Sequence, residues 1–174
     1  MRLRPLLLAA GLALMCLHAG PAAAADALDH ADASFLREAA QAGHAEVEGS
    51  KLALQKSSNT QVKGFAQQII DDHTKAGQDL AALASSKGVE LPDGPSVAQT
   101  AKLKLLSMSD GAKFDARYAQ TIGVDAHRDA VKLFSKASTS AKDAEVKAFA
   151  GRTLPTLQQH LQAAQELQRS TGRK

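Results

Sequence analysis

Four residues of this 174-residue sequence combine metal-ligand chemistry with an inward helical position: Glu46, His73, His127 and His160. Each interrupts an apolar stripe. In "VKGFAQQIIDDHTKAGQDLAALA" (62–84) the stripe runs Val62, Ala66, Ile69, Ala76, Leu80, Leu83, and His73 fills its gap of seven. Glu46 lies four after Ala42 and seven before Ala53, on the face of Phe35 and Ala39. His127 is three after Val124 and seven before Phe134, and His160 is three after Leu157 and four before Ala164. Steps of three, four and seven keep a residue on one helical face. Glu48, two beyond Glu46, turns roughly 200° away and faces solvent.

Two chemistries follow. Neutral imidazoles with a carboxylate suit one transition-metal ion: Zn(II), Fe(II), Mn(II) or Cu(II). Alternatively the four groups hydrogen-bond to one another or to buried water and bind nothing. An isolated buried carboxylate costs several kcal/mol, so both readings require the four to cluster. Four protein ligands complete a tetrahedral metal, which favours holding the ion over catalysis. With one ligand fewer, water enters and chemistry becomes available. His30, His44 and Asp72 are weaker candidates. Asp72 adjoins His73 and could orient a neighbouring ligand. It points about 100° away, however, and is assigned to the solvated helix face.

The elements that carry these residues are helical. Ala, Leu, Lys, Gln and acidic residues dominate, and no stretch alternates like a strand. The periodicity predicts helices over about 30–56, 59–87, 110–138 and 142–170, with a short connecting helix within 96–111. "SSN" (57–59) and "STSAKD" (138–143) are polar breaks, and "KGVELPDGP" (87–95) stops a helix with Gly88, Pro92 and Pro95. The chain also repeats itself: "VKGFA" (62–66) recurs as "VKAFA" (146–150), and "AGQDL" (76–80) as "AAQEL" (163–167). "ASFLREAAQAG" (33–43) resembles "AKFDARYAQTIG" (112–123). The expected fold is therefore all-α, a four-helix bundle of two related helical hairpins. A crossover path and an up-down-up-down path both fit the long link. Each of the four polar residues lies within about four positions, or about 6 Å, of its helix midpoint, so all can share one layer.

The ends and composition bound the setting. "MRLRPLLLAAGLALMCLHAGPAAAA" (1–25) has two arginines, an apolar run and an A-x-A pattern, the features of a secretory signal peptide. Export to the periplasm is expected, with association to the outer membrane or to an envelope protein partner left open. Met15 precedes Cys16 where a lipidated cysteine needs a small residue, so Cys16 belongs to the leader's apolar core. Cleavage after Ala25 leaves residues 26–174 as one domain without cysteine or transmembrane helix. It carries 19 basic against 18 acidic residues, no Trp and one Tyr, Tyr118. That balance gives nucleic acid no electrostatic footprint and no stacking platform. Nucleophile elbow, P-loop, dinucleotide fingerprint and CxxC are all absent from the sequence. "FDARY" (114–118) places Phe114 and Tyr118 in the core, and "KLKLLSM" (102–108), mildly basic and amphipathic but with only two lysines, is expected to cover the bundle end rather than to rest on a membrane or a partner.

"FLREAAQAGHAEVEGSKLAL", "VKGFAQQIIDDHTKAGQDLAALASSKGVELP", "FDARYAQTIGVDAHRDAVKLF" and "VKAFAGRTLPTLQQHL" together resemble the bacterial exported DUF4142 family. The resemblance implies a ferritin-like fold and no established activity; some members carry the label "outer membrane protein". Glu46 falls in the family's "AEV" segment, His73 in "DH", His127 before "VxLF" and His160 in "LPxLxxHL". Di-iron bundles place Glu-x-x-His on two helices and a further Glu on each of the other two. Here Ile70 and Leu157 stand three before His73 and His160, and helix 3 offers His127 instead of a carboxylate. Iron storage at a di-iron centre is not expected. One metal, for metal handling or redox defence, is the most these residues support. The alternative is a non-enzymatic envelope protein whose polar layer is internal hydrogen bonding.

Overall fold

The computed structural model describes residues 27–172; the expected leader and its cleavage site lie outside them. The elements are α1 (His30–Lys56), α2 (Thr60–Ser86), α3 (Val97–Ser107), α4 (Gly111–Tyr118), a π-helical segment (Ala119–Ala126), α5 (His127–Ser140) and α6 (Ala144–Thr171). The chain is an all-α bundle, and no strand occurs among the described residues. α4, the π segment and α5 follow one another without a break as a long third helix.

The helix starts follow from their side chains. Asp29, Asn59, Ser96 and Asp143 each accept a hydrogen bond from a backbone N–H of the first turn they cap. Ser96 and Gln99 form a reciprocal capping box. α2 is stopped just past its C-cap Lys87 by Gly88, whose φ of 66° lies in the left-handed region that glycine tolerates. Buried Asp32 of α1 accepts from the backbone N–H groups of Lys142 and Asp143, tying the second hairpin's turn to the first helix. Lys87, Asp143 and Glu145 form an ion-pair cluster at the same end.

Cross-helix contacts decide the path. Phe35 meets Phe134 at one end, with ring centroids 5.1 Å apart. Ser50 and Tyr118 share a 2.9 Å hydrogen bond nearer the other end. The third helix therefore runs antiparallel to α1 and parallel to α2. The link after α2 must return along the bundle, and it carries α3 with it. This is the crossover path, with α2 packed between α1 and α6.

The hydrophobic core is split in two. One cluster holds Phe35, Leu80, Phe134, Phe149 and Leu157; the other holds Val62, Phe65, Ile69, Phe114, Tyr118 and Leu167. On every long helix the boundary between the clusters falls at the polar residue: Glu46, His73, His127 or His160. The polar layer crosses the middle of the bundle.

The third helix departs from the continuous α-helix expected over 110–138. Ile122, Gly123 and Val124 are all buried, which an α-helix with one inward face does not allow. The wider π turn accommodates them. Ile122 packs against Gly49 of α1, where a Cβ would come within 2.7 Å of its side chain. Gly123 packs against Ala164 of α6. Such insertions recur at functional sites, and this one ends where His127 begins.

Candidate metal centre

The four helices bring the four polar residues together. His127 is fully buried, Glu46 and His160 are 1% exposed, and His73 is 9% exposed. The three imidazoles form a near-equilateral triangle, with each pair of ring centroids 5.4 Å apart. One ring nitrogen from each lies within 4.8 Å of those of the other two.

Each ring is held through its other nitrogen. His73 Nδ1 lies 3.0 Å from Glu46 Oε2. His127 Nδ1 donates to the carbonyl oxygen of Ile122 at 3.0 Å. His160 Nε2 lies 2.9 Å from Asp72 Oδ2. A carbonyl or carboxylate oxygen only accepts, so these three nitrogens carry the protons. In the neutral rings the lone pairs then sit on His73 Nε2, His127 Nε2 and His160 Nδ1. Those three atoms are buried and have no hydrogen-bond partner among the described residues. Orienting an imidazole through its far nitrogen is the usual support for a metal-binding histidine.

The charges are interlocked. Burial would raise the Glu46 carboxyl, but the neighbouring His73 and His127 charges and the hydrogen bond from His73 outweigh it and hold the carboxyl low. Burial would depress His73, and the Glu46 carboxylate reverses the balance and holds its imidazole above the ordinary value. Burial dominates at His160 and pushes it down despite the bond to Asp72.

Helical register alone makes Glu46 a fourth ligand. In the structure its Oε2 is bonded to His73 Nδ1, and the converging atoms are those of the three histidines. Glu46 Oε1 has no partner among the described residues and stands 3.7 Å from His127 Nδ1. Asp72, assigned to solvent, is half-exposed and also bonded to His160 across the α2–α6 interface. The Ile122 carbonyl carried no signal in residue type. Its trace was the pair Ile122 and Val124, two apolar residues too close in sequence to share one α-helical face. His30 and His44 are exposed and outside the triangle.

The sequence pattern of DUF4142, a domain of unknown function, matches residues 17–167. The chain belongs to the DUF4142 family. No curated protein matches it. Solved structures share the architecture. A DUF305 fragment from Deinococcus radiodurans superposes with a TM-score of 0.72 at 15% identity, covering 84% of this chain and 99% of that one. A putative secreted DUF305 protein from Streptomyces coelicolor gives 0.70 at 18% identity, covering 83% and 94%. CopM, solved in Cu(I)-bound and Cu(II)-bound forms, gives 0.67 at 16% identity, covering 80% and 96%. At these identities the likeness is one of fold. Among the described residues of this DUF4142 chain, no helix is long and apolar enough to cross a membrane.

Proposed function

We propose that this chain is an exported metal-handling bundle that holds one transition-metal ion on His73, His127 and His160. The carrying observation is a set of three buried imidazoles that bring ring nitrogens within 4.8 Å of one another, each imidazole having one nitrogen hydrogen-bonded and the other unpartnered. Glu46, the Ile122 carbonyl and Asp72 orient the ligands. Metal–nitrogen bonds of about 2.0–2.1 Å at tetrahedral angles separate the nitrogens by about 3.4 Å, so the triangle contracts modestly around an ion.

All-imidazole ligation suits Cu(II) and Zn(II) better than the harder Mn(II), and the affinity order places copper highest. CopM, a neighbour in fold, is known in copper-bound forms, which supports copper as the first ion to test. Three ligands leave one tetrahedral position open, which fits exchange of the ion better than a closed structural site. The leader expected from residues 1–25 supports a periplasmic site of action.

The competing reading is a layer of internal hydrogen bonds, favoured by the His73–Glu46 and His160–Asp72 contacts. It leaves Glu46 Oε1 and three ring nitrogens unsatisfied in the core. Each such group costs about 1–3 kcal/mol. A metal ion removes three of the four costs at once.

The test is elemental analysis of the protein isolated from the periplasm without chelator or affinity tag, beside His73→Ala and His127→Ala. The expected result is about one equivalent of a single transition metal in the wild type and its loss in both variants. Substoichiometric metal that survives both substitutions, in proteins with unchanged helical circular dichroism, overturns the proposal.

A further inference from the structure

A chamber of about 460 Å³ lies against the histidine layer. Glu46, Asp72, His73 and His160 line one part of it. The rest is mainly apolar, including Ala39 and Gly43 of α1, Ala76 and Leu80 of α2, Phe134 of α5 and Phe149 of α6. The exposed residues His44 and Gln78 also line it, so the chamber opens to solvent. Its size falls within the range of small-molecule sites, about 300–1,000 Å³.

The chamber arises from sequence. Ala39 and Gly43 are four apart on one face of α1, opposite Ala76 on α2, and these small side chains leave space that larger ones would fill. At Gly43 an added Cβ would meet nothing within 4 Å. The polar end adjoins the metal layer: Glu46, His73 and His160 line it, and their Oε1, Nε2 and Nδ1 atoms are buried without hydrogen-bond partners among the described residues.

We infer that the chamber binds a small apolar molecule bearing one anionic donor group, of the monocarboxylate class. The carboxylate completes the coordination of the metal held by the three histidines, and the hydrocarbon tail fills the apolar walls. The inference rests on the metal-binding reading. Without metal, the charged walls at that end include the carboxylates of Glu46 and Asp72, which repel an anion. Metal and tail are therefore both required, and each can be removed separately.

The experiment titrates Cu(II)-loaded and metal-free protein with acetate, butanoate, hexanoate and octanoate. Calorimetry reads affinity and the Cu(II) d–d band reads coordination. Octanoate is expected to shift the band and to bind at least tenfold more tightly with Cu(II) than without. Affinity is expected to rise about fourfold per buried methylene along the series. Gly43→Leu and Ala76→Leu, which fill the chamber from opposite helices, are expected to load Cu(II) normally, weaken octanoate at least tenfold and leave acetate unchanged. Equal affinity with and without Cu(II), octanoate binding no tighter than acetate, or full octanoate affinity in both filled variants overturns the inference. Failure to take up Cu(II) sinks the metal reading and this inference with it. Uptake of Cu(II) without a carboxylate response sinks this inference alone.

Discussion

The Nδ1 atom of His127 donates to the carbonyl oxygen of Ile122, five residues earlier and 3.0 Å away. That carbonyl lies within the π-helical segment Ala119–Ala126. The backbone irregularity thus fixes the proton on one nitrogen of His127 and directs the other toward His73 and His160. Ile122 is itself seated on α1 at Gly49, so the placement of an imidazole on the third helix depends on a missing side chain on the first.

Two glycines of α1, six residues apart, should respond oppositely to alanine. At Gly49 a Cβ would meet Ile122 at 2.7 Å and Leu103 at 3.3 Å, both buried. Gly49→Ala is expected to destabilise by about 1–2 kcal/mol and to weaken metal binding by displacing Ile122. At Gly43 nothing lies within 4 Å, so Gly43→Ala is expected to stabilise by about 0.5–1 kcal/mol through helix propensity. Denaturant midpoints of the two metal-free variants check both signs.

Asp72→Asn separates orientation from folding. Asp72 is half-exposed, so its loss has little effect on the core. It holds His160 through a 2.9 Å bond. Loss of such a supporting carboxylate typically costs about 10–100-fold in metal affinity. A competition assay against a chelator of known affinity should show that loss at an unchanged melting temperature. Unaltered affinity would remove Asp72 from the site.

Glu46 distinguishes a ligand from a ligand's support. Glu46→Gln keeps an acceptor for His73 Nδ1 and is expected to retain one equivalent of metal with all three imidazoles coordinated, at reduced affinity. Glu46→Ala leaves that nitrogen unpaired in the core and is expected to destabilise by about 1–3 kcal/mol. Electron paramagnetic resonance of the Cu(II)-loaded proteins counts the coordinating nitrogens. A changed nitrogen and oxygen donor set in Glu46→Gln would restore Glu46 as a direct ligand.

The polar layer makes metal-free stability and the stabilisation added by metal respond to pH with opposite signs, so that fully loaded protein is expected to be nearly flat above pH 6.5. The raised His73 contributes stability that is complete below its ordinary value of 6.5 and is lost as pH rises through its raised folded value. The depressed Glu46 contributes stability present above its ordinary value of 4.5 and lost as pH falls through its lowered one. The depressed His160 has its contribution complete above 6.5 and loses it on acidification. Above pH 6.5, therefore, His73 alone of these three changes, and metal-free stability should decline. The stabilisation added by metal should increase over the same range, because a proton competes for His73 Nε2 until the raised value is passed. One competing proton changes affinity by about tenfold per pH unit. Thermal melts from pH 6.5 to 8.5, with and without metal, read both slopes.

The helices and the polar layer are legible in the order of residues alone. A period of 3.6 residues sorts side chains into inward and outward faces, and the register of Glu46, His73, His127 and His160 against their apolar neighbours is visible without coordinates. Near-equal depth along four helices of similar length then requires that they meet. The tertiary structure decided the crossover path, because the long link from α2 to α4 fits either direction until Phe35 and Phe134 are seen to pack. It also decided the chemistry within the layer. Which nitrogen of each imidazole is protonated depends on the oxygen that happens to lie behind it: Glu46 on another helix, Asp72 across an interface, Ile122 in a π turn. Those partners are separated from their histidines by 27, 88 and five residues. No periodicity encodes such pairings; they are fixed only when helices pack and side chains take single rotamers.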